Sequence, residues 1–89
     1  MKKLINGKLY NTKKLVPIAS WDNGIEISDT RYSEETLCRT KTGEYIIYSK
    51  DASGLDLREI TPEDAFEWLQ EHSLTAKADI ELIESVKKT

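Results

Sequence analysis

A chain of 89 residues is a single domain's worth of material, 1–89, and buries only about 60–65% of its unfolded surface, so its core is thin and leaves little room for a deep catalytic cavity. The net charge of −3 is too mild to select a partner, and no apolar run approaches the roughly 20 residues that cross a membrane. After Met1-Lys2-Lys3 the apolar stretch is only Leu4-Ile5, which does not make a signal peptide, and the single cysteine, Cys38, excludes an internal disulfide and fits a cytoplasmic compartment.

The chain opens with Leu4-Ile5-Asn6-Gly7-Lys8-Leu9-Tyr10. Asn-Gly between short apolar runs is a hairpin signal, because a type I′ turn needs positive φ at both central residues. A lone two-stranded ribbon is marginal in water, so this one must dock on the rest of the fold. From Thr12 to Trp21 the apolar residues lean toward helical spacing, which predicts a short N-terminal helix capped by Thr12 and interrupted or restarted at Pro17. Asp22-Asn23-Gly24 reads as a turn with Gly24 as a left-handed C-cap, and Ile25 to Arg31 as extended and partly irregular chain.

The stretch from Tyr32 to Tyr48 is the centre of the sequence and reads as a β-hairpin. Its first strand runs to about Thr40, its second covers Glu44 to Ser49, and Gly43 closes the turn. Ile46 and Ile47 are consecutive, so both faces of the second strand carry an isoleucine. One face must pack on helices. The other needs the N-terminal hairpin, a loop or a second molecule to cover it. Ser49 to Asp56 reads as a loop, and Leu55 to Ile60 alternates as a further short strand.

The clearest helix start follows. Thr61 is the N-cap, Pro62 takes the first helical position, and Glu63 and Asp64 complement the dipole. Ile60 can staple onto Ala65. Ala65, Phe66, Trp68 and Leu69 form a buried stripe ending near His72. A second helix over about Lys77 to Lys87 sets Ile80, Leu82, Ile83 and Val86 inward, with Lys87 and Lys88 at its negative end. The expected class is α+β: a small antiparallel sheet of about three to five strands built on the central hairpin, two C-terminal helices and a short N-terminal one.

Three pieces together carry a resemblance. They are Ile5-Asn6-Gly7-Lys8-Leu9-Tyr10-Asn11-Thr12, then Glu34 to Tyr45 (EETLCRTKTGEY), then Ile60 to Leu69 (ITPEDAFEWL). With these the chain resembles a group of small, mostly uncharacterised proteins of Gram-positive bacteria, their phages and plasmids. That group is written with an "INGK-Y-T" start, an "EETLYRTKNGEY" hairpin and an ending like "LTEEEAREWLEEH". The sequence departs from it at Val16-Pro17, where relatives look more helical, and at Ser49 to Gly54, where they often carry a longer Gly-rich loop. Some small proteins of such mobile elements are anti-CRISPR inhibitors, an association of genomic context that assigns no residue here.

No catalytic set stands out. Cys38 and His72 are the only residues of their types, which suits neither a zinc site nor an obvious nucleophile–base pair. Adjacent Glu34 and Glu35 point to opposite faces of a strand and cannot share a proton. No phosphate-cradling glycine loop is present. No cofactor and no metal are expected, and both Trp21 and Trp68 read as core.

Charge is uneven along the chain. Residues 1–50 carry nine Lys/Arg against six Asp/Glu, and residues 51–89 carry four against ten. Together with the lack of a catalytic set and this acidic second half, the resemblance implies a non-enzymatic cytoplasmic binding protein of phage or mobile-element type, an inhibitor of a CRISPR-Cas defence complex in its most specific form. It would touch a larger basic or nucleic-acid-binding complex through Glu63, Asp64, Glu67 and Glu71, of which 63, 67 and 71 align at i, i+4 spacing. The alternative is a small nucleic-acid-binding or regulatory module using Arg31, Tyr32, Arg39, Lys41, Tyr45, Tyr48 and Lys50, basic residues interleaved with aromatics on the hairpin.

Overall fold

The structure is a computed structural model. It describes residues 2–5, 7–78 and 80–87, with only the backbone for Ile80, Glu81, Ser85 and Lys87. The chain forms strands β1 (Lys2–Ile5), β2 (Lys8–Asn11), β3 (Val16–Asp22), β4 (Ser33–Arg39), β5 (Tyr45–Asp51) and β6 (Gly54–Ile60), followed by helices α1 (Pro62–Glu71) and α2 (Ile80–Lys87). β1 and β2 make a two-stranded ribbon. β3-β4-β5-β6 make an antiparallel meander in chain order. The fold is α+β, and the central hairpin supplies the two inner strands of its main sheet.

Alternation sorts the sheet into two faces. Leu37 of β4 and Tyr45 and Ile47 of β5 face the helices, where they pack with Ala19, Ala65, Trp68, Leu69 and Leu82. Ile46 and Leu57 point the other way and are covered by Tyr10, with Ile5, Leu15 and Tyr48 at the margin. Of the three ways to cover the second isoleucine, the chain uses its own N-terminal ribbon. Ile46 is 0% exposed and Ile47 1%.

The segment 12–21 departs from the expected helix. Only Thr12–Lys14 forms a turn of 3-10 helix, and Val16–Asp22 is a strand. Pro17 accounts for this: it lacks the donor a helix needs and pushes Val16 toward extended backbone. On an edge strand the missing donor costs little. The β3–β4 register shifts between Pro17 and Ala19, a bulge that sets Ala19 and Trp21 toward the helices.

Three other expectations change. Residues 25–31 are irregular throughout, a run of bends and turns with no extended stretch, tied by side chains competing for the backbone. Gly24 N–H donates to Asp22 Oδ1 at 2.8 Å, Arg31 N–H to Asp29 Oδ1 at 2.8 Å, and Asn23 Nδ2 to the Arg31 carbonyl at 2.7 Å. Gly24 is left-handed at φ 74°, but it follows a strand and caps no helix. The expected loop over Ser49 to Asp56 is mostly strand: β5 and β6 pair as far as Asp51 and Gly54, and Ser53 N–H donates to Asp51 Oδ1 at 2.8 Å.

α1 starts as expected. Asp64 N–H donates to Thr61 Oγ1 at 3.1 Å, and Ile60 joins Ala65 in the core cluster. Trp68 and Leu69 are buried, while Phe66 is only half-buried. The helix ends in a Schellman arrangement. Leu74 N–H donates to the Leu69 carbonyl at 2.7 Å, Ser73 N–H donates to the Gln70 carbonyl at 3.1 Å, and Ser73 is left-handed at φ 56°. A 3-10 turn, Thr75–Lys77, precedes the second helix, α2, which spans Ile80–Lys87 against the expected start at about Lys77. Leu82 is buried there and Val86 packs on the core. The expectations for Asn6 and Lys88, and for the side chains of Ile80 and Lys87, lie outside the described residues.

Candidate binding surfaces

The two tryptophans meet at one place, and a glutamate organises it. Glu35 of β4 lies opposite Trp21 of β3 and Ser49 of β5. Its Oε1 accepts from the indole Nε1 of Trp68 at 3.0 Å and lies 3.9 Å from His72 Nε2. Its Oε2 is 3.7 Å from Arg58 Nη1. His72 closes the group: its ring stacks on Trp21 with centroids 4.5 Å apart and meets Trp68 edge-on at 4.6 Å. His72, at the C-cap of α1, is thus packed between two aromatic rings rather than lying on the surface. A buried indole N–H without an acceptor is costly, so Glu35 fastens α1 to the sheet.

The four acids expected as a contact face are all exposed on α1. Asp64, Glu67 and Glu71 line one shallow notch of about 230 Å³ with Arg58, Ile60 and Trp68; the lining does not include Glu63. The notch thus groups 64, 67 and 71 at i, i+3, i+7, while 63, 67 and 71 keep their i, i+4 row along the same helix. Asp64, Glu67 and Glu71 form no ion pair among the described residues, although Arg58 borders the same notch.

The seven residues of the alternative nucleic-acid face do not share one surface. Tyr45 is 3% exposed and belongs to the core, which removes it as a stacking platform. Tyr48 and Lys50 project from the opposite side of the sheet, Tyr48 against the ribbon-covered cluster. Arg39 lies across from Tyr45 and is half-buried. Arg31 is held by Asp29, whose carboxylate accepts from Nη2 at 2.9 Å and Nε at 3.2 Å; this lowers the Asp29 pKa and raises that of Arg31. Tyr32 donates its hydroxyl to Glu34 Oε2 at 2.6 Å, and that bond pushes its pKa up to about 12. Lys41 is exposed in the β4–β5 turn.

Cys38 faces the ribbon side of the sheet, and burial pushes its thiol up to about 11. His72 packs on the helix side, so the two cannot form a nucleophile–base pair. Among the described residues no group of three or more His, Cys, Asp or Glu could hold a metal ion, and no helix is long and apolar enough to cross a membrane.

No family model, no curated protein and no solved structure matches the chain. The Glu35 group is the feature that reading the sequence missed. Its members lie on separate elements, Glu35 and Trp68 being 33 residues apart, and no local spacing announces them.

Proposed function

We propose that this protein is a non-enzymatic, cytoplasmic binding protein of phage or mobile-element type that acts by protein–protein contact. In its most specific form it inhibits a bacterial CRISPR-Cas complex by occupying a basic, nucleic-acid-binding surface. The observation that carries this reading is the exposed flank of Asp64, Glu67 and Glu71, which is free of ion pairs among the described residues and mounted on a helix anchored through Trp68 to Glu35. A rigid row of unspent carboxylates suits a partner rich in Lys and Arg, because such charge speeds encounter and fixes register. The resemblance to mobile-element proteins points the same way.

The test is a plasmid-interference assay in cells carrying a CRISPR-Cas system, with the wild-type chain and a Glu67→Lys/Glu71→Lys variant whose fold is checked by circular dichroism. The wild type should relieve interference and the folded variant should lose most of that effect. Equal relief by both removes this flank as the contact. The nucleic-acid alternative retains Lys41, Tyr48 and Lys50, and oligonucleotide anisotropy at low salt separates it, since phosphate contacts weaken steeply as salt rises.

A further inference from the structure

Among the described residues neither edge of the two-stranded ribbon is paired with a further strand. β1 lies beside β6, where Lys3 Nζ donates to the Leu57 carbonyl at 3.0 Å and pairs with Asp56. Among the described residues β2 pairs with β1 alone. A groove of about 370 Å³ lies between β2, Lys14, Leu15 and the β4–β5 turn, with Lys2 of β1 at its margin. Four consecutive β2 residues, Lys8, Leu9, Tyr10 and Asn11, line it. Side chains of a strand alternate between faces, so a groove bordered by four residues in succession takes in the backbone of β2 as well as its side chains. An unpaired edge offers a ladder of donors and acceptors to another extended chain.

The surroundings define what would fit. Lys2, Lys14 and Lys41 line the groove, are exposed, and form no ion pair among the described residues. Lys8 is already matched by Glu44 at 3.1 Å. Leu9 is 66% exposed, and its cross-strand partner Leu4 is 67% exposed. Cations, a solvated leucine pair and a free backbone edge occur together. A phosphodiester would use the cations alone: among the described residues the one aromatic in the lining, Tyr10, is 7% exposed and cannot stack a base. A bilayer would use the leucines and cations but leave the strand edge unpaired.

We propose that the β2 edge is a docking site for an extended acidic segment of a partner protein. The segment adds to the ribbon as a third strand and sets its carboxylates against Lys2, Lys14 and Lys41. Its apolar residues alternate with the acids and lie over Leu9. This surface is distinct from the α1 flank.

The experiment uses the full chain and a fluorescein-labelled peptide of alternating glutamate and valine, followed by anisotropy. Two variants, Lys14→Glu/Lys41→Glu and Leu9→Ser, are compared after circular dichroism confirms their fold. The peptide should bind the wild type, the lysine reversal should weaken binding by about tenfold or more, and N-methylation of alternate peptide amides should abolish it. Equal binding of the methylated peptide overturns strand addition. Failure of the peptide to bind at millimolar concentration overturns the proposal as well. So does a result in which only a thymidine oligonucleotide or phosphatidylglycerol vesicles bind, with the same dependence on Lys14 and Lys41; the site would then be one for nucleic acid or lipid.

Discussion

Glu35 shows how much one side chain can decide in a thin core. It is the acceptor for the Trp68 indole and approaches both Arg58 and His72. Truncation would strand the indole N–H of a residue that is 5% exposed. Glu35→Ala should therefore cost about 1–3 kcal/mol in urea unfolding, the usual penalty for an unsatisfied buried donor, while Glu35→Gln keeps an acceptor and should cost less than half of that. Equal losses would mean that the charge, through Arg58 and His72, matters more than the hydrogen bond.

Among the elements, α1 carries a visible compromise at its end. Ser73 takes the left-handed position that glycine fills without strain. The cap forms regardless, because the Leu69 and Gln70 carbonyls are both satisfied and Leu74 reaches the core. Ser73→Gly should raise stability by about 0.5–1 kcal/mol, the left-handed penalty less the entropy that glycine adds to the unfolded chain, and a shift in urea midpoint would report it. The β4–β5 turn holds a second device. Glu44 accepts from the Thr40 and Thr42 hydroxyls and from Lys8 Nζ, and these bonds hold its carboxyl down at about 2. A carboxyl whose folded pKa is depressed contributes stability that is complete above its unfolded value of 4.5 and disappears as pH falls toward about 2. The melting temperature of the wild type should therefore drop through that window, and the drop should be shallower in Glu44→Gln. Parallel curves would show that the clasp between ribbon and turn does not depend on the charge.

These elements also show what could be read beforehand. The Thr61-Pro62-Glu63-Asp64 start and the consecutive isoleucines were legible because each is a local rule with one physical outcome. The segment 12–21 was not, because apolar residues at mixed spacing suit helix and strand alike. Here Pro17 and the sheet's need for a fourth strand outweighed the helical pattern, although Ala19-Ser20-Trp21-Asp22 already alternates as a strand does. The acidic flank was legible as a set, but the notch that Asp64, Glu67 and Glu71 share with Arg58 was not, since a strand distant in sequence forms the other wall. The free edge of β2 carries no composition signal at all. It arises from where the ribbon settles.

At the scale of the whole molecule, a slab measuring 41 × 31 × 17 Å is organised around one strand buried on both faces. β5 has bonded neighbours on both sides and a cluster above and below, whereas the ribbon's strands pair only with each other among the described residues and are held to the sheet by side chains such as Tyr10, Lys3 and Lys8. Amide hydrogen exchange should accordingly be slowest at Ile46 and Ile47 and about a hundredfold faster in the ribbon. Uniform protection across both would indicate that ribbon and meander open together.

The convergence of Trp21 and Trp68 on His72 has a practical outcome for anyone following this molecule by its own light. Both indoles report from the helix-side layer, so ultraviolet emission would register detachment of α1 and stay silent if the ribbon lifted away. A dye or an NMR probe placed near Leu9 would be needed to watch that second event.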